Sequence, residues 1–127
     1  MRKTLTISGI DCNFKSSAAI PRMYRLKFGR DIFVDMQKLK KQVELQEKLR
    51  EETGGETESS LPIDLLEMFE NIAFLMHKHG DPSQPSEIDE WLEQFETFSI
   101  YEVLPEILEM WRIENEQMSE AKKETGK

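Results

Sequence analysis

The chain has 127 residues, which is the size of one domain and enough to bury a hydrophobic core without disulfides or metals. Charged residues make up 33% of it and the mean hydropathy is −0.60, values typical of a soluble helical protein. No run of roughly 18 apolar residues occurs, which excludes a membrane-spanning helix, and the single cysteine, Cys12, excludes an internal disulfide. Because the N-terminal residues lack the apolar core of a signal peptide, we expect a cytoplasmic protein.

Charge is unevenly distributed along the chain. Residues 1–50 contain 12 Lys and Arg against 5 Asp and Glu, a net charge of +7, whereas residues 51–127 contain 5 against 20, a net charge of −15. Three interpretations are open: two solvated faces within one fold, association of the basic region with an acidic protein surface or a second copy, and nucleic-acid binding. Nucleic-acid binding is least favoured, because the acidic half opposes phosphate.

The N-terminal residues have the pattern of a β-hairpin. Apolar and polar residues alternate over residues 2–8 and again over residues 12–15, and the stretch 9–11 between them has the composition of a turn. The pattern predicts a hairpin over residues 2–16. Two strands alone are marginally stable in water, so we expect the hairpin to pack on helices or to be completed by another chain.

The next segment predicts a short helix from Ala18 to Phe28. Ser16 and Ser17 are candidates for its N-cap, and Gly29 is a typical C-terminal stop. A strand is the alternative, because apolar residues also alternate over residues 24–28. The agreement between the start and stop signals favours the helix.

Asp31 is positioned to cap a second helix over residues 32–52. Its apolar stripe ends at Val43, so we expect the second half of the helix to project, or to place Leu45 and Leu49 against a partner. The stripe has four members at helical spacing: Ile32, Met36, Leu39 and Val43.

The second half of the chain is also predicted to be helical. Residues 53–60 contain no apolar side chain and predict a flexible linker, residues 61–113 predict a helical region, and residues 114–127 form a polar tail. The first helix of this region, ended by Gly80, is apolar on nearly every side and is therefore expected to be central and buried. The sequence thus predicts a mainly α (α+β) fold, a single helical domain of about five helices with an N-terminal β-hairpin.

Two pairs of residues resemble capping boxes. Ser86 with Asp89, and Ser99 with Glu102, each place a hydroxyl three residues before a carboxylate, which predicts two further helix starts. Pro105 lies inside the last helix and predicts a kink or a restart of the helix, because proline lacks the amide hydrogen that the helix requires.

Nothing in the sequence has the pattern of a catalytic or metal site. His77 and His79 are two residues apart on a helix and point in different directions, so we expect exposed polar residues at a helix C-terminus rather than metal ligands. Phosphate-binding glycine loops, Cys/His metal spacings and nucleophile elbows do not occur. We therefore predict a protein that is not an enzyme, with no catalytic, cofactor-binding or metal-binding residues.

The acidic C-terminal half contains more large apolar side chains than one helix face can bury. Aromatic and methionine side chains beside carboxylates suit a binding surface for a basic amphipathic partner. The alternative is that all of them belong to the core of a small domain. The residues are Trp91, Phe95, Phe98, Tyr101, Met110 and Trp111.

Three blocks of the sequence resemble the tail assembly chaperones of long-tailed bacteriophages and prophages of Gram-positive bacteria. They are SSAAIPRMYRLKFGRDIFVDM (16–36), AFLMHKHG (73–80) and IDEWLEQFETFSIYEVLPEILEMW (88–111). The resemblance covers nearly the whole chain and is most specific in YRLKFGRDIF and FSIYEVLPEILEMW. These are blocks of similarity and not catalytic motifs, so they carry over no active residues.

The resemblance implies a non-enzymatic role in tail morphogenesis. Such chaperones coat the tape-measure protein and recruit tail-tube subunits in the cytoplasm of the bacterial host, and they are absent from the mature virion. In several members a ribosomal frameshift adds a C-terminal extension, and this chain would correspond to the shorter product. We expect self-association, and neither nucleic acid nor membrane as a partner.

On this interpretation, basic residues dock on an acidic neighbour, while leucines, aromatics and a methionine contact a partner or hold the client. The candidate contact residues are Arg25, Lys27, Arg30, Lys38, Lys40, Lys41, Leu45, Leu49, Trp91, Phe98, Tyr101 and Met110. Two alternatives remain at this point. One is a small phage or prophage regulator that binds nucleic acid through residues 22–41, and the other is a structural tail subunit retained in the virion.

Overall fold

The structure is a computed structural model that describes residues 1–52, 54, 62–96 and 103–111. Residues 103–111 form a helix, α5. The fold class is the predicted one, mainly α with an N-terminal hairpin, whereas the predicted linker and tail lie outside the described residues except for Gly54. The other elements are β1 (Arg2–Ile7), β2 (Ile10–Lys15), α1 (Ala19–Phe28), α2 (Ile32–Glu52), α3 (Ile63–Gly80) and α4 (Ile88–Glu93).

The hairpin has a tighter turn than the sequence predicts. β1 and β2 are antiparallel, and Ile7 pairs with Ile10, so only Ser8 and Gly9 form the turn. Both residues have positive φ, 52° and 78°, as in the two-residue turns whose twist matches that of a hairpin. The predicted turn at residues 9–11 is therefore wrong, because the turn begins at Ser8, and Ile10 and Asp11 already belong to β2.

The hairpin packs on helix α3, as expected for a two-stranded sheet. The side chains of Cys12 and Phe14, on β2, are fully buried where the hairpin meets α3. This burial raises the pKa of the Cys12 thiol to about 11. A Cβ atom at Gly80 would lie 2.2 Å from the carbonyl oxygen of Asn13. Glycine at the end of α3 therefore allows the helix and β2 to approach each other closely.

Helix α3 is the centre of the fold, as its apolar surface predicts. It contacts β2, α1, α2 and α4, and its side chains are buried on all but one face, where Asp64 and Glu67 are exposed. Full burial of a large apolar side chain contributes about 2 kcal/mol, so covering this helix is a major source of stability. The buried residues are Leu65, Met68, Phe69, Ile72, Ala73, Phe74, Leu75, Met76 and His77.

His77 is buried, which corrects the expectation of an exposed residue at a helix end. Its Nδ1 atom accepts a hydrogen bond of 2.8 Å from the indole Nε1 of Trp91, and its ring stacks on Phe14 with 5.2 Å between centroids. The prediction failed because the hairpin covers α3 up to its last turn. The imidazole thereby joins the hairpin, α3 and α4.

The ends of the C-terminal helices differ from the predictions in part. Helix α4 has Glu87 at its N-cap with no side-chain capping bond, so the predicted box at Ser86 does not form, because Ser86 lies one residue too early. Ser99 and Glu102 lie outside the described residues. Helix α5 buries Val103, Leu104, Ile107 and Met110.

Burial lowers the pKa of His77 below its ordinary value of 6.5, since a charged imidazole would lose its solvation and Nδ1 could no longer accept the hydrogen bond from Trp91. As the pH falls below 6.5, the unfolded chain therefore binds a proton that the folded chain does not. We therefore expect the free energy of unfolding to decrease as the pH falls below the ordinary pKa of histidine. Urea denaturation between about pH 7.5 and about pH 5.5, with an NMR titration of the imidazole, measures both effects.

The His77→Gln variant is the control for this prediction, because its free energy of unfolding lacks the contribution of the imidazole and should fall less between the same pH values. An NMR midpoint for His77 at or above 6.5 would contradict the buried, neutral imidazole.

Substitution of Gly80 by Ala tests the close approach of α3 to the hairpin. Helix propensity alone favours alanine over glycine by about 1 kcal/mol, so the variant would be more stable if the site were open. The overlap with Asn13 predicts the opposite sign, a loss of about 1 to 3 kcal/mol. Thermal or urea unfolding of Gly80→Ala measures the sign, and a stabilised variant would exclude the contact.

Candidate partner-binding surface

The basic segment of residues 24–31 forms the corner between α1 and α2. Gly29 adopts the left-handed conformation with φ of 68°, and its amide donates to the carbonyl oxygen of Arg25. The Asp31 carboxylate accepts a hydrogen bond of 2.9 Å from the amide of Phe33 and so caps α2. Both the predicted stop at Gly29 and the predicted cap at Asp31 are confirmed.

A buried carboxylate holds this corner together. Asp35 is 1% exposed and accepts a hydrogen bond of 2.6 Å from the Tyr24 hydroxyl. The guanidinium of Arg30 donates two more, each of 2.8 Å. Burial opposes the charged form of Asp35, but the bonds from Arg30 and Tyr24 outweigh it and lower its pKa. The pKa of Tyr24 is raised by burial and by the neighbouring carboxylate, so its hydroxyl remains a donor.

Two of the basic candidates are therefore engaged within the chain. Arg30 is the partner of Asp35 in an ion pair. The Nζ atom of Lys27 lies 5.5 Å from the centroid of the Phe74 ring and donates to the carbonyl oxygen of Ser86 at 3.4 Å. Both side chains are nevertheless exposed, so their assignment as partner contacts stays a prediction, while their charges already stabilise the corner and its packing on the rest of the fold.

The other basic candidates remain on the surface. The residues of α2 on the side opposite its buried stripe include Val34, Leu45 and Leu49, which are 49%, 52% and 41% exposed. Lys38 and Lys41 share this side and are exposed. We call these five residues, Val34, Lys38, Lys41, Leu45 and Leu49, the outer face of α2. Arg25, on α1, and Lys40, on another side of α2, are also exposed.

Two of the four aromatic and methionine candidates are buried in the core. Trp91 and Met110 are fully buried, and Trp91 packs edge-on against Phe74 and Phe95 with ring centroids 5.6 and 5.3 Å apart. They belong to the core, which corrects their assignment as surface contacts and favours the alternative interpretation for these two residues. Phe98 and Tyr101 lie outside the described residues.

Helices α2 and α5 form a groove that no pattern in the sequence indicated. A cavity of about 290 Å³ lies between α2 and α5, and we call it the α2–α5 groove. Its walls come from segments about 60 residues apart, so neither segment alone carries a signal for it. Its apolar lining includes Met36, Val43, Leu108 and Trp111, and its charged lining is Lys40, Glu44, Glu47 and Glu109.

Contacts at the edge of the groove and beyond it hold its two walls in place. The rings of Phe33 on α2 and Trp111 on α5 meet edge-on with 5.0 Å between centroids. On the other side of α5, the ammonium of Lys3 on β1 pairs with the Glu106 carboxylate. Helix α5 is thus tied to both α2 and the hairpin, and the groove has fixed walls.

Neither a metal site nor a membrane-spanning helix occurs among the described residues. Within residues 1–52, 54, 62–96 and 103–111, no group of three or more His, Cys, Asp and Glu side chains has the arrangement of a metal site. In that same part of the chain, no helix combines the length and apolarity needed to cross a membrane. Comparison with protein-family models, curated proteins and solved structures gives no match to this chain.

Replacement of Asp35 by Asn tests whether the corner is structural. The change leaves the Arg30 guanidinium without its charge partner, and we expect the free energy of unfolding to fall by about 2 kcal/mol, because removal of one partner from a buried pair is costly and Arg30 is only partly buried. Urea denaturation measures the loss.

Asp31→Asn is the matched control, since it makes the same chemical change four residues away and asparagine is an equally good N-cap, so we expect a loss of about 0.5 kcal/mol or less. Equal losses in the two variants would show that the buried carboxylate has no special role.

Proposed function

We propose that this protein is a non-enzymatic tail assembly chaperone of a bacteriophage or prophage, which binds the tape-measure protein and recruits tail-tube subunits in the cytoplasm of the bacterial host. The resemblance of residues 16–36, 73–80 and 88–111 to that family supports the proposal. The structural observation that carries it is the second half of α2. This helix continues about 14 Å beyond Val43, its last residue packed on the core, and exposes Leu45 and Leu49.

Exposed leucines on a projecting helix are typical of a surface that is covered in an assembly. Because each is about half exposed, the remaining apolar area of each would contribute about 1 kcal/mol when a partner buries it. On the outer face of α2 the leucines stand beside Lys38 and Lys41, so a partner with an acidic and apolar surface fits it. Such a surface exists on this chain, because Glu87, Asp89, Glu90 and Glu93 at α4 are all exposed.

We therefore propose that subunits associate on the client, with the outer face of one α2 against the acidic α4 region of the next. The charge pattern supports this arrangement, since the basic and acidic regions are separated along the chain. Chaperone activity then consists of covering a long helical client with several copies. On this proposal the subunits leave before the virion is complete.

The structure makes the nucleic-acid alternative less favourable. Lys27 and Arg30 are engaged within the chain, and Lys40 lies beside Glu44 and Glu47 at the groove. A binding surface for phosphate requires net positive charge. The other alternative, a structural subunit retained in the virion, predicts that mass spectrometry of purified particles finds this chain.

Co-expression with the tape-measure protein encoded nearby tests the proposal. We expect the tagged chain to keep that protein soluble and to retain it in a pull-down at moderate salt, with no requirement for nucleic acid. In Leu45→Glu the outer face carries a charge in place of an apolar contact, so subunits associate less on the client and we expect about tenfold weaker retention.

Leu26→Glu is the matched control, because Leu26 is 68% exposed on α1 and lies outside the outer face of α2. It should retain the client as the wild type does. Failure of the wild-type chain to bind the tape-measure protein or to improve its solubility would contradict the proposed function, and retention that depends on nucleic acid would favour the regulator.

A further inference from the structure

The α2–α5 groove has the length of a short helix. Its α2 wall runs from Met36 to Glu47, about 16 Å or three helical turns. The opposite wall is supplied by the part of α5 that includes Leu108 and Trp111. Val43, Leu108 and Trp111 are only partly buried, so the groove offers an apolar floor that the described residues cover incompletely.

The charge around this floor is negative. Among the described residues that line it, Glu44 and Glu47 on the α2 wall and Glu109 on the α5 wall are acidic, and Lys40 is basic. Glu44 and Glu47 are both exposed. A ligand that fills the groove therefore gains from apolar side chains at its centre and from positive charges along its margin.

This combination selects one class of occupant. A nucleic acid or an anionic lipid surface would bring further negative charge to the carboxylates, which is unfavourable. An amphipathic helix that presents apolar residues at positions i, i+3 or i+4 and i+7 fits a groove of three turns. Lysine or arginine residues at the margins of that helix would lie next to Glu44 and Glu47.

We infer that the α2–α5 groove binds a basic amphipathic helix of a partner protein. The inference rests on the proposed function only for the identity of that partner, which is then the tape-measure protein. The groove and the outer face of α2 are different sides of one helix, so one subunit can hold a client helix while it contacts the neighbouring subunit.

A synthetic peptide tests the groove directly. The probe is a peptide of about four turns with Leu at i, i+3, i+4 and i+7 and Lys elsewhere, added to the full-length, ¹⁵N-labelled protein. We expect the NMR signals of the Trp111 indole and of the Val43 and Leu108 amides to shift, with the indole signal assigned by Trp111→Phe. The same peptide with Glu in place of Lys should cause no such shifts.

Two double variants distinguish the effect of the groove carboxylates on peptide binding from the effect of the net charge of the protein. Glu44→Lys with Glu47→Lys reverses the charge at the groove, and we expect at least about tenfold weaker binding of the Lys peptide. Asp64→Lys with Glu67→Lys changes the net charge by the same amount at two exposed residues of α3, outside the groove lining. This control should bind within about twofold of the wild type.

The possible results test the helix-binding groove and the proposed function separately. Shifts confined to other surfaces, or equal weakening in the two double variants, would overturn the groove as a helix-binding site. If the peptide binds as expected but wild-type protein does not retain the tape-measure protein, the groove stands and the proposed function fails.

Discussion

The fold depends on one constraint, which is that helix α3 is apolar on nearly every side and must be covered on all of those sides. The hairpin, α1, α2 and α4 all contact it, and each brings an apolar surface that is too small to be stable alone. This explains why Gly80 lies against the backbone of Asn13 and why His77 is enclosed at the C-terminal end of the helix. A two-stranded sheet persists here because α3 completes its core.

Polar groups fix the arrangement around this apolar centre. Asp35 binds Tyr24 from α1 and Arg30 from the corner, and His77 binds Trp91 from α4. Each bond joins two elements whose relative position the apolar contacts alone would leave less defined. The basic and aromatic residues in YRLKFGRDIF thus serve mainly the corner, and the exposed positive charges of this region include Arg25 and the lysines of α2.

Local signals in the sequence predicted local structure well. Gly29 marks the end of α1 and Asp31 the start of α2, each through a hydrogen bond to a residue within four positions. The apolar pattern of α3 predicted that this helix is central and buried. Contacts between distant residues had no such signal. The burial of His77 depends on Phe14 and Trp91, and the groove depends on Val43 and Leu108, so the periodicity of one segment could not show either. Trp91 was assigned to the surface for the same reason.

The central claim is that the second half of α2 and the adjoining side of α5 are not covered by the core and bind a partner protein. Hydrogen–deuterium exchange of the protein alone and in complex with the tape-measure protein tests it most directly. The account predicts that amides of α3 are slow to exchange in both states, and that amides of residues 44–52 and 103–111 become slower only in the complex. Protection gained at the hairpin and α1, with none at α2 and α5, would contradict it.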